Sequence, residues 1–125
     1  MVASVTEEPK AGVDNLPIDV QLVSDITDGV LKMELSTSTR EDIDFKTTRV
    51  VGLLSLLLAE DLGADDDEQV MDLFRQAYKL LELTNRPSRR APSFTAFFFM
   101  RDVANLTRRL LWVYVERNGG VPRND

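Results

Sequence analysis

The clearest pattern in this chain lies between residues 66 and 84. Val70, Leu73, Phe74, Ala77, Leu80 and Leu81 recur at spacings of three and four, and Asp72, Arg75, Gln76, Lys79 and Glu82 fill the gaps. At about 100° per residue this is one apolar stripe and one wet face, the pattern of a helix packed on a core. Met71 and Tyr78 fall at the edge of the stripe. The preceding run, Asp65-Asp66-Asp67-Glu68, suits a helix start. Asp65 or Asp66 can cap the free backbone N–H groups, and the other carboxylates lie near the positive end of the helix dipole. Such a cluster also raises calcium, but the alternating ligands, central glycine and distal glutamate of an EF-hand loop are absent. Capping is the reading it supports.

A second helix is expected over 38–62. Ser38 and Glu41 have the spacing of a capping box, and Gly63 supplies the stop. Ile43, Val50, Val51, Leu54, Leu57 and Leu58 form one broad apolar face. The opposite side carries Thr48, Gly52, Ser55 and Ala59, all small. That ridge either admits a second helix at close range or is a permissive solvent face. Residues 50–59 form the longest near-apolar run, half the roughly 20 residues that a membrane-spanning helix needs.

Residues 14–35 read two ways. As a helix, Asp14 or Asn15 caps it, Pro17 sits in the first turn, and Leu16, Val20, Val23, Ile26, Val30 and Met33 recur at helical spacing. As a hairpin, two alternating runs flank Asp28-Gly29. The helix is preferred, because everything downstream is helical and a lone hairpin is marginal. Residues 1–13 and 121–125 lack periodicity and are expected to be disordered, leaving 14–120 as one helical domain. The expected fold is all-α, a small four-helix bundle with helices at 14–35, 38–62, 66–84 and 93–117, built around the second and fourth.

The fourth helix poses the main question. Ser93–Val103 holds four of the six phenylalanines, three of them consecutive. On a helical wheel Phe99, Val103, Leu106, Leu110, Val113 and Tyr114 share one sector, and Met100, Ala104, Leu111, Val115 and, at the edge, Phe97 widen it to more than half the circumference. Phe94, Phe98 and Trp112 fall on the other side, among Arg101, Asn105, Arg108 and Arg109. Phe94 and Phe98 are spaced to stack, and Trp112 lies within reach of a cation–π contact with Arg108. Aromatic side chains mixed with arginine are the composition enriched at interface hot spots. Three occupants suit this stripe: a fold-back of the chain itself, a second copy, or a foreign partner.

Composition narrows the chemistry. The chain has no cysteine and no histidine, which removes disulfides, thiolate and imidazole metal sites, and the commonest general base. No catalytic, metal or cofactor motif is present. Asp102, a lone acid beside arginines, is read as a salt-bridge partner. No basic-then-apolar leader opens the chain, so a cytoplasmic location is expected. Arginine outnumbers lysine 11 to 4, a bias compatible with a GC-rich bacterial genome. The net charge of -6 divides unevenly, with residues 1–68 at -11 and 69–125 at +5.

The function expected from these patterns is a non-enzymatic helical protein–protein interaction module, a small regulator, adaptor or accessory factor. Its partner is another protein or a second copy, engaged through Phe94, Phe98, Arg101, Arg108, Arg109 and Trp112. The alternative is nucleic-acid binding through the basic half, using Arg86, Arg89, Arg90, Arg101, Arg108 and Arg109 on phosphates.

Overall fold

A computed structural model describes residues 17–119. The tail expected at 1–13 and the end expected at 121–125 lie outside the described residues. Within them are four α-helices: α1 (Val20–Leu31), α2 (Arg40–Leu58), α3 (Glu68–Leu81) and α4 (Ser93–Arg117). Single 3-10 turns occupy Leu35–Thr37 and Leu83–Asn85. The fold is all-α, and the hairpin alternative is ruled out because Asp28-Gly29 runs inside α1. No helix among the described residues is long and apolar enough to cross a membrane.

The first three helix starts are later than expected, and each has a local cause, whereas α4 starts at Ser93 as expected. α1 begins at Val20 because Asp19 is its cap, accepting from the Leu22 N–H at 3.0 Å. Pro17 therefore precedes the helix instead of sitting in its first turn. At α2 the cap is Thr39, which accepts from the Asp42 N–H at 3.0 Å. Ser38 is diverted, since its hydroxyl donates to the Glu34 carbonyl at 2.6 Å and closes the 3-10 turn. The cap expected at Ser38 is thus displaced by one residue, and the reciprocal bond from Glu41 that would complete a capping box is not formed. At α3 the cap is Asp67, not Asp65 or Asp66, and it accepts from both Gln69 and Val70. α2 stops at Leu58, short of residue 62, and the chain then turns through Gly63, whose φ of 79° favours glycine.

Long-range bonds fix the topology. The Ile18 N–H donates to the Tyr114 hydroxyl at 3.4 Å, Arg108 pairs with Asp28, and Arg101 donates to the Leu31 carbonyl at 3.0 Å. These three contacts run in opposite orders along the two segments, so α1 is antiparallel to α4. α2 runs parallel to α4. Arg40 at its start reaches the Ser88 and Ala91 carbonyls just before α4, and Asp61 past its end meets Arg117. α3 returns antiparallel to both. α4 packs against all three other helices, most extensively against α2, while α1 and α3 do not touch. The architecture is an up-down-up-down bundle flattened about its α2–α4 pair.

The core is therefore dominated by α4. Met100, Val103, Leu110 and Tyr114 are essentially solvent-free, as are Ile43, Val50, Leu54 and Leu57 of α2. Phe97 is as buried as Phe99, and Met100, Ala104, Leu111 and Val115 are buried with it, so the broad apolar sector expected from the wheel is filled. The small residues that meet neighbouring helices are Ala96, Ala104 and Thr107 on α4. The ridge of Thr48, Gly52, Ser55 and Ala59 on α2 is exposed instead, with open space where a Gly52 Cβ would stand. Buried Thr27 and Thr107 donate to carbonyls four residues back, at 2.9 and 2.7 Å, which satisfies hydroxyls that would otherwise be orphaned.

Arg40 anchors the long α3–α4 connection to α2. Arg40 donates to the Ala91 and Ser88 carbonyls and pairs with Asp44 at 3.0 Å. Arg86 is also occupied, donating to the Leu81 carbonyl at 3.0 Å. Replacing Arg40 with alanine removes the anchor while leaving the helix-forming pattern untouched. Arg40→Ala is expected to speed tryptic cleavage after Arg89 or Arg90 by about tenfold, read as the rate of appearance of the two fragments.

Candidate functional site

The outer face of α4 is the most distinctive surface of the molecule. Phe94, Phe98 and Trp112 are 56%, 54% and 56% exposed, and they project on the side of α4 opposite α2. The α4 register produces this directly. Val103, Leu110 and Tyr114 must face α2, and residues half a turn away then point outward. From Phe94 to Trp112 the face is about 27 Å long at helical rise. The 84–93 connection does not cover it, because Arg40 draws that segment against α2.

The contacts within the face differ from those expected. Phe98 packs edge-on against Phe97, with ring centroids 5.5 Å apart, instead of stacking on Phe94. Arg108 turns to Asp28 of α1, so it is not available over Trp112. Arg101 lies over the Phe97 ring at 5.9 Å while donating to Leu31. The two arginine contacts share one reason. The α1 C-terminus presents carbonyl and carboxylate acceptors beside the stripe, and charge-assisted hydrogen bonds outcompete an exposed ring as a guanidinium partner.

Arg109 is directed to the other flank. With Gln76, Lys79, Asn85, Asp102 and Asn105 it lines an open groove of about 450 Å³ between α3 and α4. Arg86 and Arg89 border a separate groove of about 290 Å³ beside α2. The arginines singled out in the sequence are thus spread over three sides, with Arg101 and Arg108 at α1, Arg109 at α3, and Arg86 and Arg89 at α2. They do not form one basic face.

Asp102 departs from its expected role. Among the described residues it joins no salt bridge; the ion pairs are Arg40–Asp44, Arg108–Asp28 and Arg117–Asp61. Burial pushes its carboxyl above the usual range, and Arg101 pulls the other way. A carboxyl harder to ionise in the folded chain favours the fold below its unfolded value near 3.8. That contribution is lost as pH rises through the higher folded value. Asp102→Asn is therefore expected to stabilise the monomer slightly at pH 7, the effect being kept small by solvent screening of an exposed carboxyl, with no gain at pH 3. Urea unfolding at both pH values, at dilution that disfavours association, checks this.

Two apolar residues on α2 escaped the sequence reading. Phe45 and Leu56 are 59% and 55% exposed, and Arg49 lies over the Phe45 ring at 5.9 Å. Phe45, Arg49, Gly52 and Leu56 recur at spacings of four and three opposite the core face, so the signal was present. Leu22 on α1 and Leu35 in the first 3-10 turn are also exposed, and that turn contacts α4. No group of carboxylates among the described residues is placed to hold a metal ion. Compared with known proteins, the chain matches no family model, no curated protein and no solved structure.

Proposed function

We propose that this protein is a non-enzymatic, cytoplasmic interaction module, a small regulator or accessory factor, that self-associates through the outer face of α4. The observation that carries the reading is the line of Phe94, Phe98 and Trp112, each more than half exposed on one rigid helix. Large aromatics on a single face leave apolar area in water that association removes. At about half exposure the three leave roughly 250–400 Å² open, within the size range of functional patches. The lack of histidine and cysteine supports a role without catalysis.

The nucleic-acid reading draws less support. It needs Arg86, Arg89, Arg90, Arg101, Arg108 and Arg109 to track one phosphate backbone. Arg86, Arg101 and Arg108 are already engaged by Leu81, Leu31 and Asp28, and the set is dispersed.

Absolute mass by light scattering after size exclusion tests the proposal. Twice the 14.1 kDa chain mass is the expected result at micromolar concentration and moderate salt. A single-chain mass at every concentration up to about 1 mM, weaker than any specific dimer of use in a cell, would overturn it.

A further inference from the structure

We infer that the occupant of the α4 face is a second copy of this chain laid antiparallel across it, with Asp102 of each copy meeting Arg109 of the other. The inference rests on the self-association reading above and deepens it. Its first support is the spacing of the outward positions. Phe94, Phe98, Arg101, Asn105, Arg108 and Trp112 follow one another at four, three, four, three and four residues, the seam of a helix pair. This series reads the same from either end. An antiparallel copy centred at the level of Val103 places Phe94 beside the partner's Trp112, Phe98 beside the partner's Arg108, and Arg101 beside the partner's Asn105. A parallel copy sets Arg101 on Arg101 and Arg108 on Arg108, like charge on like charge.

The second support is charge. Asp102 and Arg109 lie seven residues apart on the same flank of this seam, both at the α3–α4 groove. Among the described residues neither forms an ion pair. The two-fold rotation that makes two helices antiparallel keeps like flanks on the same side. Each acid is then offered an arginine of the other copy, and symmetry makes the pair twice. A parallel pair brings this flank against the opposite one, where Phe97, Ala104 and Leu111 are already buried. A foreign helix is under no requirement to match either symmetry.

Area is the third support. The aromatics alone supply less than half of the roughly 800 Å² per partner in a standard interface. Antiparallel pairing along the 25-residue helix recruits the remainder from its polar flanks and from Leu22 and Leu35 on the α1 side.

The test uses the full chain and two charge reversals, Asp102→Arg and Arg109→Asp. Each variant alone faces like charges across the seam, arginine on arginine or aspartate on aspartate. Each is expected to raise the dimer Kd about tenfold or more, with far-UV circular dichroism unchanged. Mixing the two variants restores opposite charges at both contacts, so the mixture is expected to return to within about threefold of the wild-type Kd by sedimentation equilibrium. Rescue on mixing requires the residues to meet between copies and antiparallel. A wild-type dimer whose Kd neither variant changes would overturn this pairing and leave self-association standing. Two weakened variants without rescue would also overturn it. A wild-type chain that stays monomeric would remove both this inference and the reading it rests on, and would turn the face toward a foreign partner.

Discussion

Phe98→Asp and Trp112→Asp are each expected to abolish self-association while leaving helix content intact. Both side chains are more than half exposed in the isolated chain, so replacing them costs the monomer little, within about 0.5 kcal/mol. At the proposed interface the same change removes a ring and introduces a carboxylate that must be desolvated without a partner. Loss of a central aromatic hot spot costs at least about 2–3 kcal/mol, which corresponds to about a hundredfold in Kd. Light scattering at one concentration therefore separates the variants from the wild type. A second readout follows from mass action: the melting temperature of a dimer rises with protein concentration, and that dependence should disappear in both variants. If both variants keep the wild-type mass, the α4 face is not the interface. Phe45 and Leu56 on α2 would then be the next surface to disrupt.

Leu110→Ala is expected to have the largest effect on stability. Leu110 is fully buried on α4, the helix that packs most extensively against the others. Removing its branched end forfeits the transfer energy of the lost carbons and leaves a cavity that rigid neighbours cannot close. Such changes cost about 2–5 kcal/mol. A domain of this size has roughly 5–15 kcal/mol in all, so the melting temperature should fall by about 10–30 °C. The change in unfolding free energy from a urea titration checks the magnitude. A loss below about 1 kcal/mol would mean that the α2–α4 packing is not the structural centre.

Much of this fold was legible because helical periodicity is local. α3 and α4 follow directly from apolar residues at spacings of three and four, and α4 begins at Ser93 and ends at Arg117 as its flanking proline and glycine signals indicate. The caps were less legible. Ser38 and Thr39 are adjacent and chemically similar, as are Asp65, Asp66 and Asp67. Which one caps depends on which takes up extended backbone geometry as the chain enters the helix. At Ser38 the answer came from a competing bond to Glu34, set by the path of the preceding turn. The same limit applied to α1, where the pattern extended past the helix end because Met33 continues the apolar spacing beyond Leu31.

The candidate face divides along the same line. By itself the sequence determined that Phe94, Phe98 and Trp112 lie opposite the α4 core, since the wheel depends only on helical pitch and on which sector is most apolar. It determined equally that no imidazole or thiol chemistry is available. What the tertiary structure alone decided is where the arginines go. Arg108 meets Asp28 across 80 residues of chain, and Arg101 meets Leu31 across 70. No local pattern encodes such partners, because they arise only when α1 docks antiparallel on α4 and brings its acceptors beside the stripe. Tertiary packing likewise turned the small ridge of α2 to solvent and left Asp102 without an ion pair among the described residues. Periodicity tells which side of a helix is buried, but the identity of the neighbour on each flank is a property of the assembled bundle.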